Sequence, residues 1–258
     1  MKKWITCIIM AVMMAAMIFM GTGNNVFADD EVTYDSNMQT KKFDVNVKVG
    51  KDGSYTVTEN IKVKFVNPRH GIYRYIPYKG NVVTIDKNGG QKKLLYYADF
   101  DLLKNDSNTD LQEDSDGNSE VLQFGSEDYT VNEGNYKFTY QLTPQYQGDT
   151  FDYLYYNIFP TLWRNNIPKG STFTIHFPKK TDLKSVNFFY GRYGESKNAK
   201  DVLTLKYDEK NAQITGTLKK SLPFKNGLTC YSDLGDGYFT ERNEIGAGGF
   251  IFVVTIGI

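Results

Sequence analysis

The whole chain holds two histidines, His70 in the turn Asn67-Pro68-Arg69-His70-Gly71 and His176 in an alternating stretch with Thr172 and Thr174. Neither has a cysteine or a second histidine nearby in sequence to complete a zinc set. The sequence also lacks an H-E-x-x-H helix, a phosphate-binding loop, a nucleophile elbow and a dinucleotide fingerprint. Of the two cysteines, Cys7 falls in an apolar N-terminal run. Cys230 is then alone, alternates with Leu228, and reads as a buried structural thiol without a disulfide partner. Asp114-Ser115-Asp116-Gly117 resembles part of a calcium loop, but with Gly117 at the sixth position, Gln112 and Gln123 occupy the first and twelfth. Both are the wrong ligands. The 30 acidic residues permit a glycosidase-like carboxylate pair without selecting one. No catalytic residue, metal or cofactor is expected; a carboxylate-based hydrolase acting on envelope glycans is the alternative.

Two segments carry polar groups where an apolar row is expected. Glu59 shares a strand face with Tyr55, Val57, Ile61 and Val63, and Arg74 sits between Ile72 and Ile76 with the same period. A lone buried charge is costly and a bidentate carboxylate–guanidinium pair satisfies both, so Glu59 and Arg74 are expected to pair in adjacent strands. In the alternative, Arg74 holds an anionic ligand. The second segment runs from Asp152 to Pro168 and concentrates Tyr153, Tyr155, Tyr156 and Trp163. Such aromatics serve either as anchors of a binding surface or as core. Exposure of Tyr153, Tyr155 and Trp163 separates the two.

The elements that must position these residues are strands. Residues 43–49 and 55–65 alternate apolar and polar side chains around the turn Lys51-Asp52-Gly53-Ser54. Further short alternating runs are separated by turns such as Asn88-Gly89-Gly90, Asn132-Glu133-Gly134 and Pro168-Lys169-Gly170. With 19 Tyr and 17 Phe and no sustained helical stripe after the N-terminal run, the expected fold is all-β, a large antiparallel β-sandwich over 42–240. A split into two β domains near Gln147-Gly148-Asp149 is the alternative. Residues 29–41 read as a disordered leader, and the acidic, Asn/Ser-rich stretch 104–118 as a long solvated loop.

Charge and ends bear on location. Thirty basic residues balance 30 acidic ones, which argues against a nucleic-acid partner. Residues 1–28 read as a signal peptide: Lys2-Lys3, an apolar run from Trp4 to Met20, and Val26-Phe27-Ala28 before Asp29-Asp30. An uncleaved anchor is the alternative. Without Lys2 and Lys3 the remainder has 28 basic and 30 acidic residues, net −2. Residues 246–258, a glycine-rich approach and an uncharged apolar run, read as the start of an incomplete transmembrane segment, or else as a final buried strand.

Taken together, Asp52-Gly53-Ser54 with Val57 and Glu59, the run His70-Gly71-Ile72-Tyr73-Arg74-Tyr75-Ile76-Pro77, and Asp152, Tyr155, Tyr156, Asn157 and Trp163 form a pattern. It resembles the predicted bacterial membrane proteins called domain of unknown function 2207 (YciQ-like). Tyr156 stands where that pattern has Trp, and Phe159-Pro160 where it has Val/Thr-Gly. The resemblance spans about residues 42 to 240. It implies an extracytoplasmic β-rich domain followed by transmembrane helices, and brings no known activity or ligand. The expected function is that of an exported, membrane-associated surface domain that binds or senses. Its expected partners are an envelope protein or glycan, with membrane contact through the C-terminal segment or an uncleaved signal.

Overall fold

The computed structural model of the protein describes residues 32–85, 91–145 and 152–242. The expected signal peptide, the turn at 88–90, the split near 147–149 and the apolar run 246–258 lie outside them. From Thr33 onward the described residues belong to one compact unit. No helix among them is long and apolar enough to cross a membrane.

Alternation builds the first two strands. In β1 (Met38–Val49) and β2 (Tyr55–Arg69), Phe43, Val45, Val47, Val57, Ile61 and Val63 are buried on one face, while Lys48, Lys62 and Lys64 are exposed on the other. The Asp-Gly turn forms as expected: Asp52 Oδ1 accepts from the Ser54 amide at 3.0 Å and its hydroxyl at 2.7 Å, and Gly53 takes φ of 84°. The chain continues through β3 (Gly71–Pro77), β4 (Lys79–Ile85), β5 (Gln91–Asn105), β6 (Leu111–Ser115), β7 (Ser119–Gly125), β8 (Val131–Pro144) and β9 (Asp152–Phe159). It then forms β10 (Thr172–His176), β11 (Asn187–Gly191), β12 (Lys197–Asn198), β13 (Leu203–Asp208), β14 (Gln213–Leu218) and β15 (Gly227–Gly235).

Three sheets result, as expected for an all-β chain. The largest has the order β13-β14-β10-β1-β2-β8-β5-β4; the smaller ones are β12-β11-β15-β9 and β3-β7-β6. The two small sheets pack on the apolar face of the large one. Phe43 of the large sheet meets Phe159 edge-on at 5.7 Å and Trp163 at 5.3 Å, and Phe124 of β7 lies 4.8 Å from Phe138 of β8. One pairing departs from the antiparallel expectation: β1 and β10 run parallel, with Val45 opposite Phe173.

Three sequence expectations need correction. β1 begins at Met38, inside the stretch read as a disordered leader, and Asp35 just before it is ion-paired with Arg69. Within 104–118, Leu111–Ser115 forms β6, so Asp114 and Ser115 are paired with β7 and Asp116-Gly117-Asn118 makes the turn. There Asp116 Oδ1 accepts the amides of Asn118 and Ser119 at 2.9 and 2.6 Å. An edge strand exposing four of its five side chains requires no apolar alternation, so the pattern was silent. Finally, β2 and β3 do not pair. The chain leaves the large sheet at Arg69, where the β2–β8 register shifts, and enters the small one at Gly71. His70 fixes that crossing: its Nδ1 lies 2.8 Å from the Ser126 carbonyl and 2.9 Å from that of Tyr129, so Nδ1 carries the proton. A Cβ at Gly71 would fall 1.7 Å from the Phe124 carbonyl oxygen, which only glycine avoids.

Entrance and exit of the described chain lie at opposite ends of the β1–β2 hairpin. Near Met38, Arg164 Nε donates to the Thr33 carbonyl at 3.3 Å, and the Asp35 amide donates to the Arg164 carbonyl at 2.7 Å. At the other end, the Glu241 amide donates to the Lys51 carbonyl in the hairpin turn at 3.2 Å.

Candidate functional site

Four strands from three sheets each send one polar side chain to a common point in the core. Glu59 comes from β2 and Tyr140 from β8, both in the large sheet; Arg74 comes from β3 and Tyr156 from β9. Arg74 Nε donates to Glu59 Oε2 at 2.9 Å and Nη2 to Oε1 at 2.7 Å. The third guanidinium nitrogen, Nη1, donates to the Tyr75 carbonyl. Tyr140 Oη donates to Glu59 Oε1 at 2.9 Å and lies 2.8 Å from Tyr156 Oη. The single Tyr140 proton goes to the carboxylate, so Tyr156 must donate to Tyr140. Donors therefore run Tyr156→Tyr140→Glu59 from one side and Arg74→Glu59 from the other.

The cluster is sealed. Glu59 is 0% and Arg74 3% exposed. Burial pulls the Arg74 pKa down, but the Glu59 charge and hydrogen bonds outweigh it and leave the guanidinium above its ordinary value. Burial, then the Glu59 charge, pushes the Tyr140 and Tyr156 hydroxyls well above the usual phenol range. Both Glu59 carboxylate oxygens are taken up by donors of the cluster, Oε2 by Arg74 Nε and Oε1 by Arg74 Nη2 and Tyr140 Oη. The cluster ties the two small sheets to the large one.

The remaining residues singled out in the sequence are distributed differently. Tyr153, Tyr156 and Trp163 are buried and Tyr155 half-buried, so the Tyr/Trp segment is core rather than a binding surface. Packing against the large sheet explains this: Tyr55 lies 5.5 Å from Tyr156, and Trp163 abuts Phe43. Tyr153 stacks with Tyr231 at 6.5 Å. Arg74, the candidate anion holder, likewise points inward. Cys230 is fully buried, and burial pushes its thiol up to about 12. No group of metal-binding side chains occurs among the described residues.

Two polar residues of the segment 152–168 are anchors whose roles the sequence reading did not assign. Asn165 closes the bulge between Thr40 and Lys42 in β1: its Oδ1 accepts the Thr40 amide and hydroxyl at 3.2 and 3.3 Å, and its Nδ2 donates to the Met38 carbonyl at 2.6 Å. Trp163 Nε1 donates to the same Thr40 hydroxyl at 2.8 Å. Asn165→Ala is expected to cost about 2 kcal/mol in a urea titration, since it strands buried backbone groups; an unchanged midpoint would mean that water replaces the amide. Asp152, 1% exposed, accepts from Arg242 Nη1 and from the Phe239 amide, both at 3.0 Å. Nothing in the local sequence pattern of either marks its distant partner.

The inward residues of the two motifs make the core lock. Of the outward ones, exposed Tyr73 and half-buried Arg164 border a shallow surface depression with Asp35 and Arg69, floored by the buried Met38, Ile72 and Trp163.

Among solved structures, the chain is similar to the M1 zinc metallopeptidase from Deinococcus radiodurans, with 13% identity, a TM-score of 0.39, and 77% of this chain and 43% of that one covered. A putative protease from Parabacteroides distasonis shows 10% identity and a TM-score of 0.41, with 76% and 40% covered. Native leukotriene A4 hydrolase from Saccharomyces cerevisiae shows 11% identity and a TM-score of 0.36, with 76% and 29% covered. The chain thus spans less than half the length of each. No curated protein matches it. The family model described as predicted membrane protein (DUF2207) N-terminal domain matches residues 39–220, and the chain belongs to that family.

Proposed function

We infer that this protein is an extracytoplasmic, membrane-associated domain that binds or senses rather than hydrolyses. The observation that carries the reading is how its deeply buried carboxylates are used. Glu59 is clamped by Arg74 and Asp152 by Arg242, so neither faces a second carboxylate across a cleft as glycoside hydrolysis requires. The same ion pairs build a rigid support and leave recognition to the surface. Export rests on the N-terminal signal features, and membrane association on the family.

The test is topological. A cysteine placed at exposed Lys64 (Lys64→Cys) reports its compartment, while buried Cys230, with its raised pKa, stays unreactive. A membrane-impermeant maleimide is expected to label Lys64→Cys in intact spheroplasts beyond the wild-type background. Labelling that appears only after lysis would place the domain in the cytoplasm and overturn the reading.

A further inference from the structure

The outer face of the large sheet is polar in a regular way. Strand register sets Lys206, Thr215, Thr174, Asn46, Thr58 and Thr139 in one row across β13, β14, β10, β1, β2 and β8. Parallel rows on either side contain Gln213, His176, Lys48, Thr56 and Gln141, and Thr217, Thr172, Asp44, Asn60 and Lys137. Neighbours in a row lie about 4.8 Å apart and rows about 6.8 Å apart. Several side chains hold each other in place: Thr58 and Thr139 hydroxyls at 2.9 Å, Asn46 Nδ2 and His176 Nε2 at 3.2 Å, and Thr172 donating to Asp44 at 2.8 Å. The side chains of these rows are half-buried, with Lys206, Lys48 and Lys137 exposed.

The charge of this face runs against that of the chain. From β13 to β8 the face presents Lys42, Lys48, Lys62, Lys64, Lys137 and Lys206 against Asp44, Glu133 and Asp208, and β5 adds Lys104 with Asp99 and Asp101, leaving the face net positive while residues 29–258 together are net negative. Lys42 and Lys62 stand directly opposite each other in β1 and β2, an arrangement that like-charge repulsion disfavours and an anion relieves. Asp44 answers Lys42 at 2.5 Å, and Lys62 has no ion-pair partner among the described residues.

We propose that this face binds an anionic polyol polymer of the cell envelope, its phosphates on the lysines and its hydroxyls on the threonine and amide rows. This deepens the binding role proposed above and rests on the extracytoplasmic placement. The hydroxyl grid favours a polymer over a bilayer, because the three rows carry no apolar side chain to insert at a lipid interface. Held side chains lose little freedom on binding, which favours a repeating ligand.

The probe is synthetic poly(glycerol phosphate), titrated against the full-length chain by thermophoresis, with neutral dextran and phosphatidylglycerol vesicles in parallel. Binding of the phosphate polymer that weakens with salt, and absence of dextran binding, are expected. Lys48→Glu with Lys62→Glu should weaken polymer binding about tenfold at an unchanged thermal transition. Thr58→Val with Thr174→Val, which keeps the charge, should weaken it about threefold through the lost hydroxyls. Failure of wild type to bind the polymer, equal binding by the charge-reversed variant, or a charge-reversal effect confined to vesicles would each overturn the proposal. Because the titration uses purified protein, its failure leaves the labelling result standing, and cytoplasmic labelling leaves the measured binding intact.

Discussion

Glu59→Gln and Arg74→Met are each expected to cost about 3–5 kcal/mol of folding free energy in urea denaturation, because either leaves a buried charge without its counter-ion. Nearly complete exclusion from solvent, 0% and 3% exposure, denies the survivor any compensating hydration. Replacing both by apolar residues (Glu59→Leu with Arg74→Met) should recover most of the loss. Recovery is expected to stop short in a specific way. Tyr140 loses its acceptor in that variant, and its hydroxyl is linked onward to Tyr156. Adding Tyr140→Phe and Tyr156→Phe removes the stranded hydroxyls and should return about another 1–2 kcal/mol. Small, additive single effects would mean that the cluster does not act as a unit.

The protein is expected to unfold cooperatively in alkali, with a midpoint near pH 11. Cys230 is fully buried, and burial holds its thiol up at about 12. Tyr140 and Tyr156 are held well above the ordinary phenol value of 10.0. In each case burial comes first among the causes. Groups whose folded pKa is raised keep their full stabilising effect below the unfolded pKa and lose it as pH climbs toward the folded one. Stability should therefore hold to about pH 9, decline first through Cys230, and then decline faster above pH 10 as both tyrosines join. At about 1.4 kcal/mol per unit and group, the three together remove about 5 kcal/mol by pH 11, comparable to the whole stability of a marginal domain. Tyrosinate absorbance near 295 nm should show a class of phenols that ionises only with the loss of near-ultraviolet circular dichroism. Cys230→Ala should shift the onset to about pH 10. Smooth ionisation of all tyrosines in a folded protein would sink the prediction.

How much of this was legible from sequence depends on what each element had to do. β2 is buried along one whole face, so its alternation announced both the strand and the misfit Glu59; Arg74 between Ile72 and Ile76 stood out for the same reason. Their meeting was not legible as it occurs. The chain changes sheets at Arg69–Gly71, so the pair spans two layers instead of two neighbouring strands. Tyr156 was singled out as a binding aromatic and Tyr140 not at all; the use of their hydroxyls in the lock was hidden because a tyrosine suits an apolar row whether or not its hydroxyl is used. For Tyr153 and Trp163, residue type is equally compatible with core and surface, and only the small sheets packing over the large one decide between them. β6 was invisible because it buries almost nothing.

The opposite placement of Thr33 and Arg242 along the β1–β2 hairpin has a mechanical consequence. β1 alone extends about 40 Å, held laterally by β2 on one side and parallel β10 on the other. Tension between Thr33 and Arg242 acts along the strands, so the ladder bonds flanking β1 are loaded together in shear rather than opened singly from one end. The Asp152–Arg242 clasp and the Arg164 contacts to Thr33 stand where such a load would enter. The sandwich then behaves as a stiff strut that resists stretching far better than a fold whose ends leave side by side.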